Sequence, residues 1–520
     1  MSAETLRAAS QQVETVYGNR EAFFRLTKVD GRWVSTGTPH CVLSQNPLAR
    51  DTSAFDGVFA EWLWDGAELI ARNDRYGFMP MYYYQAGNEF CISGSIPTLL
   101  RQGTPAEFDY VALSVFLRLG YYIGEDTAFR AIRMLPPSAR LNWKNGRLSI
   151  TGSIPMPTPI SMTRDEAMEA FIPAVRDAIK RTHPKSGEFV VTLSGGRDSR
   201  HIFLELLECG FQPSACVSVC NYEPWSSGDV EIAAELCKAT GVRHELVQQR
   251  SSPFLADLHK NLQTSLSVLE HAWIIALEMY LKGRTQVVYE GVACDMYTTG
   301  YSTTTERLAL IRNHQFSELS DDLLDKDEPL RLRLLGRSRY QLANRQVAIE
   351  RLAQELGKHA EAASPLVSFF LYSRTRRVTA LAPFNMLTEV GHVVTPYLDP
   401  ALYDLLCALP AEIFLDHNFH TDSITKAYPK YAHIPYAAKK LSAAPKYKFF
   451  ANLALQLGAF SLEPTKHQLL SRSYLWPRLL RCLVDKPYTP ALGWLGDIAT
   501  YLMHLEHAAD GKVLDVSEIH

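Results

Sequence analysis

No stretch of this 520-residue chain stays apolar for the roughly 20 residues that a membrane-crossing helix needs, so no membrane partner is expected. The first residues, Met1-Ser2-Ala3-Glu4-Thr5, have neither the basic nor the apolar region of a secretory signal. Basic residues are not in excess: 53 Lys and Arg stand against 56 Asp and Glu, a formal charge of −3. That leaves no field to attract a nucleic-acid backbone, and no nucleic-acid partner is expected. The nine cysteines are scattered without one Cys-x-x-Cys pair. Cys216 and Cys220 fall on an expected buried strand, where cysteine acts as a small hydrophobe. A reduced, cytoplasmic setting is expected. What remains is an ordinary globular composition, 47% hydrophobic and 21% charged, long enough for roughly two to four domains.

Up to about residue 150 the pattern is one of short strands and turns with one helix. Apolar runs at 57–64, 68–72, 81–84 and 89–93 are separated by Asp65-Gly66, Tyr76-Gly77 and Ala86-Gly87, the punctuation of an antiparallel layered domain. A proline-rich connector at 152–159 marks a domain boundary. Beyond it, strands are predicted at 188–193, 214–220, 244–248 and 285–289, and helices at 165–181, 229–240 and 270–281. Repeated βα units predict a parallel sheet covered by helices, and from about residue 303 the chain reads as mostly helical.

The apolar run Val190-Val191-Thr192-Leu193 leads into Ser194-Gly195-Gly196-Arg197-Asp198-Ser199, and a helical pattern follows at once. Glycines with φ > 0 would let the loop turn sharply, and its N–H groups, with the helix N-terminus, suit the β- and γ-phosphates of a nucleotide. Asp198 would hold magnesium, which takes few, hard oxygen ligands beside phosphates. No Gly-Lys-Ser/Thr follows, so this is not a Walker loop. It resembles the pyrophosphate loop of the N-type ATP pyrophosphatases, although the charge balance speaks against their tRNA-modifying members. A second acidic group, Asp295, follows the strand predicted at 285–289. In an open α/β sheet it would face the same crevice at the strands' carboxyl ends and share magnesium with Asp198. Taken alone, Asp295 reads equally well as a helix cap.

The segments 290–301, Thr395-Pro396-Tyr397-Leu398-Asp399 and Ala408-Leu409-Pro410-Ala411-Glu412 are similar to ordered motifs of the asparagine synthetase family. So are Gly57-Val58-Phe59-Ala60, 71–77 with 80–83, and 127–132 with Leu135-Pro136-Pro137. The resemblance covers nearly the whole chain. It implies an α/β protein with a degenerate, Ntn-hydrolase-like class II glutamine amidotransferase domain over 1–152. An adenine nucleotide α-hydrolase-like synthetase domain with a parallel sheet and a helical end would span 163–520. It implies ATP and Mg2+ as cofactors and a carboxylate that is adenylated, with release of pyrophosphate. Ammonia or an amine then displaces AMP to leave an amide. By this resemblance Ser194, Gly195, Gly196, Asp198 and Ser199 hold pyrophosphate, Asp198 and Asp295 the metal, and Val217, Val219 and Gly291 surround the adenosine.

The chain departs from the family pattern in three places. Glutamine-using members expose an N-terminal cysteine, whereas residue 2 here is Ser2 and the first cysteine is Cys41. Nothing before Gly57 resembles the glutamine-binding segment either, so the glutaminase is expected to be lost. Val292 stands where the family places a glutamate or tyrosine, and valine cannot accept a proton. Candidate bases are Glu270, Glu290 and His271, each with an ordinary structural role as its alternative. Strict alignment places Ala443 at the family's essential lysine, which leaves Lys440 or Lys439 to reach the α-phosphate. Arg374 and Arg377 are predicted to share a helix face, for an anionic substrate or for surface pairing. The leading expectation is an amide-forming ligase of specialised-metabolite, antibiotic or peptide biosynthesis, with a homodimer left open. The alternatives are a glutamine-dependent asparagine synthase or glycan-acid amidotransferase, and a non-catalytic nucleotide-binding member.

Overall fold

The computed structural model describes residues 15–45, 57–184, 187–220, 228–249, 252–437 and 447–512. Two sheets face one another in the N-terminal region. The first has strand order Thr15–Tyr17, His40–Gln45, Val58–Trp64, Glu68–Asn73, Arg140–Lys144 and Arg147–Thr151. The second runs Arg32–Gly37, Phe23–Val29, Glu89–Ser93, Tyr82–Ala86 and Arg133–Met134. Period-two alternation sets their inner faces: Phe24 and Leu26 are buried, and Arg25 between them is not. Trp62 and Trp143 from one sheet and Phe90 and Ile92 from the other share a single core. Two helices, Ile96–Arg101 and Tyr110–Leu119, stand here where the sequence pattern suggested one. The second is capped by Asp109, whose carboxylate accepts from the Val111 and Ala112 N–H groups, and ends at Gly120 with φ 85.

Residues 152–163 hold no helix or strand. After them comes a five-stranded parallel sheet in the order His244–Val247, Ala215–Val219, Val190–Thr192, Val287–Tyr289 and His392–Val394. Its central strands are largely apolar, with Val191, Cys216, Val288, Tyr289 and Val393 fully buried, while the edge strand His244–Val247 is more polar and more exposed. The fold is the mixed α/β architecture expected. Strand order reverses between Val190–Thr192 and Val287–Tyr289, and the loops leaving those two neighbours open the crevice where such sheets bind ligands.

Three sequence expectations are corrected. The three-residue strand His392–Val394 lies within the region read as helical; Gly391 enters it at φ 147, where a Cβ would lie 2.2 Å from the Gln286 carbonyl oxygen. The helix Pro253–Gln263 has no counterpart in the sequence reading. The helix expected from 270 begins only at Ile274, because His271 takes the left-handed conformation with φ 74.

Leu371–Thr379 is a π-helix. Its wider winding separates residues three apart, so Arg374 and Arg377 do not share a face as expected. Arg376 and Arg377 are instead fully buried against the N-terminal region. Arg376 donates to the carbonyls of Gly77, Gly124 and Leu135, and Arg377 to those of Gly124 and Asp126. Tyr76 adds a hydroxyl bond of 2.9 Å to the Leu398 carbonyl across the same seam.

Candidate active site

The loop after Val190–Thr192 is held by its own side chains. Ser194 N–H donates to Ser199 Oγ at 3.1 Å, and Gly196 N–H to Ser194 Oγ at 3.2 Å. Gly195 N–H donates to Asp229 Oδ1 at 3.1 Å, so a carboxylate oxygen already occupies an anion position in the loop. None of Gly195, Gly196 and Gly291 has a positive φ, contrary to the expected sharp turn. Glycine is needed for space instead. A Cβ on Gly195 would meet the Ala437 Cβ at 2.5 Å, and one on Gly291 the Asp198 Cβ at 2.8 Å. Outside the loop, Arg200 pins Ile434 and Pro435 through their carbonyls at 2.9 and 2.6 Å, with its guanidinium over the Tyr436 ring.

The neighbouring strand end carries the second acid. Glu290 N–H donates to the Val394 carbonyl, Ala293 turns the chain in the left-handed region with φ 76, and the short helix Cys294–Thr299 begins. The two loops meet at Gly291, where a Cβ would stand 2.8 Å from the Asp198 Cβ, and the charge of Asp198 acts on Asp295. Burial raises the Asp198 carboxyl to about 7, and burial together with the charge of Asp198 raises Asp295 to about 7. Arg374 is the nearby cation: its field favours ionised Asp295, its guanidinium lies over the Tyr301 ring, and Glu270 is 3.5 Å away.

Between the loops lies a cavity of about 420 Å3, within the size range of small-molecule sites. Ser194, Asp198, Ser199, Val217, Val219 and Gly291 line it, whereas Gly195, Gly196 and Asp295 do not. Trp273, Ile274 and Leu277 add an apolar wall that the sequence did not single out. Glu290 also lines it; burial pushes its carboxyl up to about 7, and Oε1 has no hydrogen-bond partner. His271 shares the lining; burial holds its imidazole down at about 4, so it is neutral, and Nε2 is unpartnered.

Family comparison agrees with this geometry. The asparagine synthase model matches residues 171–491, and the glutamine amidotransferase domain model matches residues 48–152. The chain belongs to the asparagine synthase family. As a member it is an ATP-dependent carbon–nitrogen ligase of amidotransferase type. A search of curated proteins gave no match. Among solved structures, an NH3-dependent NAD synthetase from Campylobacter jejuni with bound nitrate is 11% identical with TM-score 0.19, covering 38% of this chain and 96% of that one. An allosteric regulatory enzyme of purine biosynthesis is 10% identical with TM-score 0.16, covering 44% and 62%. A glutamine phosphoribosylpyrophosphate amidotransferase from B. subtilis, complexed with ADP and GMP, is 11% identical with TM-score 0.14, covering 50% and 45%. The family assignment rests on the two domain matches.

In this asparagine synthase-family chain not every predicted residue reaches the cavity. Glu270 is exposed, does not line it, and is engaged by Arg374. Lys439, Lys440 and Ser2 lie outside the described residues. No helix among the described residues is long and apolar enough to cross a membrane.

Proposed function

We propose that this enzyme adenylates a carboxylate with ATP and Mg2+, transfers the acyl group to ammonia or an amine, and serves specialised-metabolite or peptide biosynthesis without a working glutaminase. The meeting of Asp198 and Asp295 beside a glycine-lined loop carries this reading. Ser194, Gly195, Gly196, Asp198 and Ser199 take the β- and γ-phosphates, which replace the Asp229 carboxylate at the Gly195 N–H. Val217, Val219 and Gly291 border the adenosine, with Trp273 and Leu277 against its apolar face. Two half-buried acids, both with raised proton affinity, fit a divalent cation, which would restore them to carboxylates. Asp198 and Asp295 would hold magnesium, which would offset charge on the phosphates.

The substrate carboxylate attacks the α-phosphorus, the bond from that atom to the oxygen bridging the β-phosphate breaks, and pyrophosphate leaves. The amine nitrogen then attacks the acyl carbon, and AMP leaves with the electron pair of the broken carbon–oxygen bond. The proton released from nitrogen goes to a base. Glu290 suits that role better than Glu270, because it lines the cavity, has a free oxygen and ionises near neutrality. Lys439 or Lys440 supplies the ammonium at the α-phosphate in this reading.

The test is turnover with ATP, magnesium, a carboxylate library and ammonia or amines. The expected products are AMP and pyrophosphate in equal amounts with a matching acid, and Asp198→Ala should abolish them in a folded protein. Full turnover by Asp198→Ala would refute the site. The match of 48–152 to a glutamine amidotransferase domain favours one second reading, glutamine-dependent amidation. Glutamate release sensitive to Ser2→Ala would establish it, and none is expected.

A further inference from the structure

The mechanism above makes no use of Cys294 or His420, although both side chains are fully buried beside Asp198. The three offer a thiol sulfur, an imidazole nitrogen and a carboxylate oxygen, all within 4.8 Å of one another. His420 Nδ1 lies 3.4 Å from Asp198 Oδ1 and 3.7 Å from Cys294 Sγ, and the same sulfur is 3.8 Å from His420 Nε2. A charge-assisted N–H···O bond closes to about 2.7–2.9 Å. Imidazole and carboxylate therefore face each other without forming one.

Those separations fit a different geometry. Zinc takes bonds of about 2.0–2.1 Å to imidazole nitrogen, about 2.0–2.2 Å to carboxylate oxygen and about 2.3 Å to thiolate sulfur, in a tetrahedron. The edges of that tetrahedron are then about 3.3–3.5 Å for nitrogen to oxygen and about 3.6 Å for nitrogen to sulfur. Both observed edges agree to within about 0.2 Å.

The outer groups are in place as well. With Nδ1 directed at the ion, His420 Nε2–H donates to His201 Nδ1 at 3.1 Å, the second hydrogen bond that a ligating histidine needs. Tyr397 donates its hydroxyl to the Asp198 main-chain oxygen at 3.3 Å and packs against the same pair of rings.

We propose that Asp198, Cys294 and His420 form a site for a thiophilic divalent ion, best matched by zinc, at the base of the nucleotide loop. Cys294 gives up its proton on binding, and the fourth position is left to water or a substrate oxygen. Asp198 has two carboxylate oxygens, so one remains for magnesium. The site thus adds a soft metal centre to the hard one of the proposed reaction and does not depend on it, since Cys294 and His420 are outside the nucleotide set.

The test uses the full chain, stripped with chelator and kept in excess magnesium, titrated first with Co2+ and then with Zn2+. A thiolate-to-cobalt charge-transfer band with strong visible absorption should saturate at one Co2+ per chain and be erased by zinc. Cys294→Ser, nearly isosteric, should lose the band while circular dichroism stays unchanged. His420→Ala should weaken Co2+ binding by more than roughly tenfold, the lower bound for loss of even an outer-shell partner. A wild-type protein without the band, or a band that survives in Cys294→Ser and so belongs to another cysteine, overturns the proposal. Asp295→Asn should keep the band, which separates failure of this site from failure of the ATP reading.

Discussion

Asp198 and Asp295 stand close enough for the charge of Asp198 to make Asp295 harder to ionise. A sheet whose order reverses between Val190–Thr192 and Val287–Tyr289 brings together two acids nearly a hundred residues apart in the chain. The arrangement costs the empty protein stability, and that cost predicts how the protein responds to pH and to ligand.

Both acids are raised to about 7 from the ordinary value of 3.8. The folded chain therefore binds more protons than the unfolded chain between those values, so stability is greatest below about 4 for this pair and falls as pH rises to 7. Thermal melts in EDTA should show the wild type losing more Tm between pH 5 and pH 8 than Asp295→Asn does. ATP with magnesium should raise Tm more at pH 8 than at pH 5. Parallel pH profiles for wild type and Asp295→Asn would show that the Asp295 carboxyl is not raised in the folded protein.

Glu290 tests the proposed base. As a carboxyl raised by burial to about 7, it accepts a proton only above that pH, so kcat should climb with pH to a plateau beyond 7. Glu290→Gln should lower kcat by about 10²–10⁴-fold and remove that limb, with the first half-reaction, pyrophosphate exchange, kept. Amide formation at the wild-type rate in this variant would move the base elsewhere.

Gly291→Ala tests whether close approach, rather than turn conformation, explains the glycine. The new Cβ would stand 2.8 Å from that of Asp198 and 3.3 Å from the Ser199 nitrogen, so the phosphate loop must shift. Overpacking of this kind costs about 1–3 kcal/mol, and here it should appear as a raised KM for ATP and a modest loss of Tm. Unchanged ATP kinetics would mean that the two loops move apart freely.

What the sequence made readable was local. The sequence placed Ser194–Ser199 and Asp295 after two strands of a parallel sheet, and they follow the neighbouring strands Val190–Thr192 and Val287–Tyr289, although Asp295 does not line the cavity. Contacts closed over long separations left no such trace: Cys294 lies in the 290–301 segment, but nothing in the sequence ties it to His420, 126 residues further on. His271 looked helical because its left-handed backbone has no signature in a non-glycine residue, and this moved Glu270 off the helix expected to present it. The π-helix misled the reading of Arg374 and Arg377 because an i→i+5 pattern does not alter apolar spacing over nine residues. The strand His392–Val394 is too short to show alternation.

The seam between the two halves gives the last prediction, and two effects oppose each other there. Arg376 is buried without a carboxylate bonded to it, and burial lowers its proton affinity to about 10, so its charge is itself a cost at neutral pH. Removing it leaves the Gly77 and Leu135 carbonyls short of a donor, while Gly124 keeps Arg377 at 2.7 Å. An unmet buried acceptor costs about 1–3 kcal/mol, and truncation to alanine adds a cavity where the arginine stem lay. Arg376→Met fills that space and sheds the charge, so its loss of stability should be small; Arg376→Ala should lose about 3–5 kcal/mol, as removing one member of a buried polar cluster does. Denaturant unfolding of the three proteins should rank them wild type, Met, Ala. A methionine variant as unstable as the alanine one would mean that the hydrogen bonds outweigh packing at this seam.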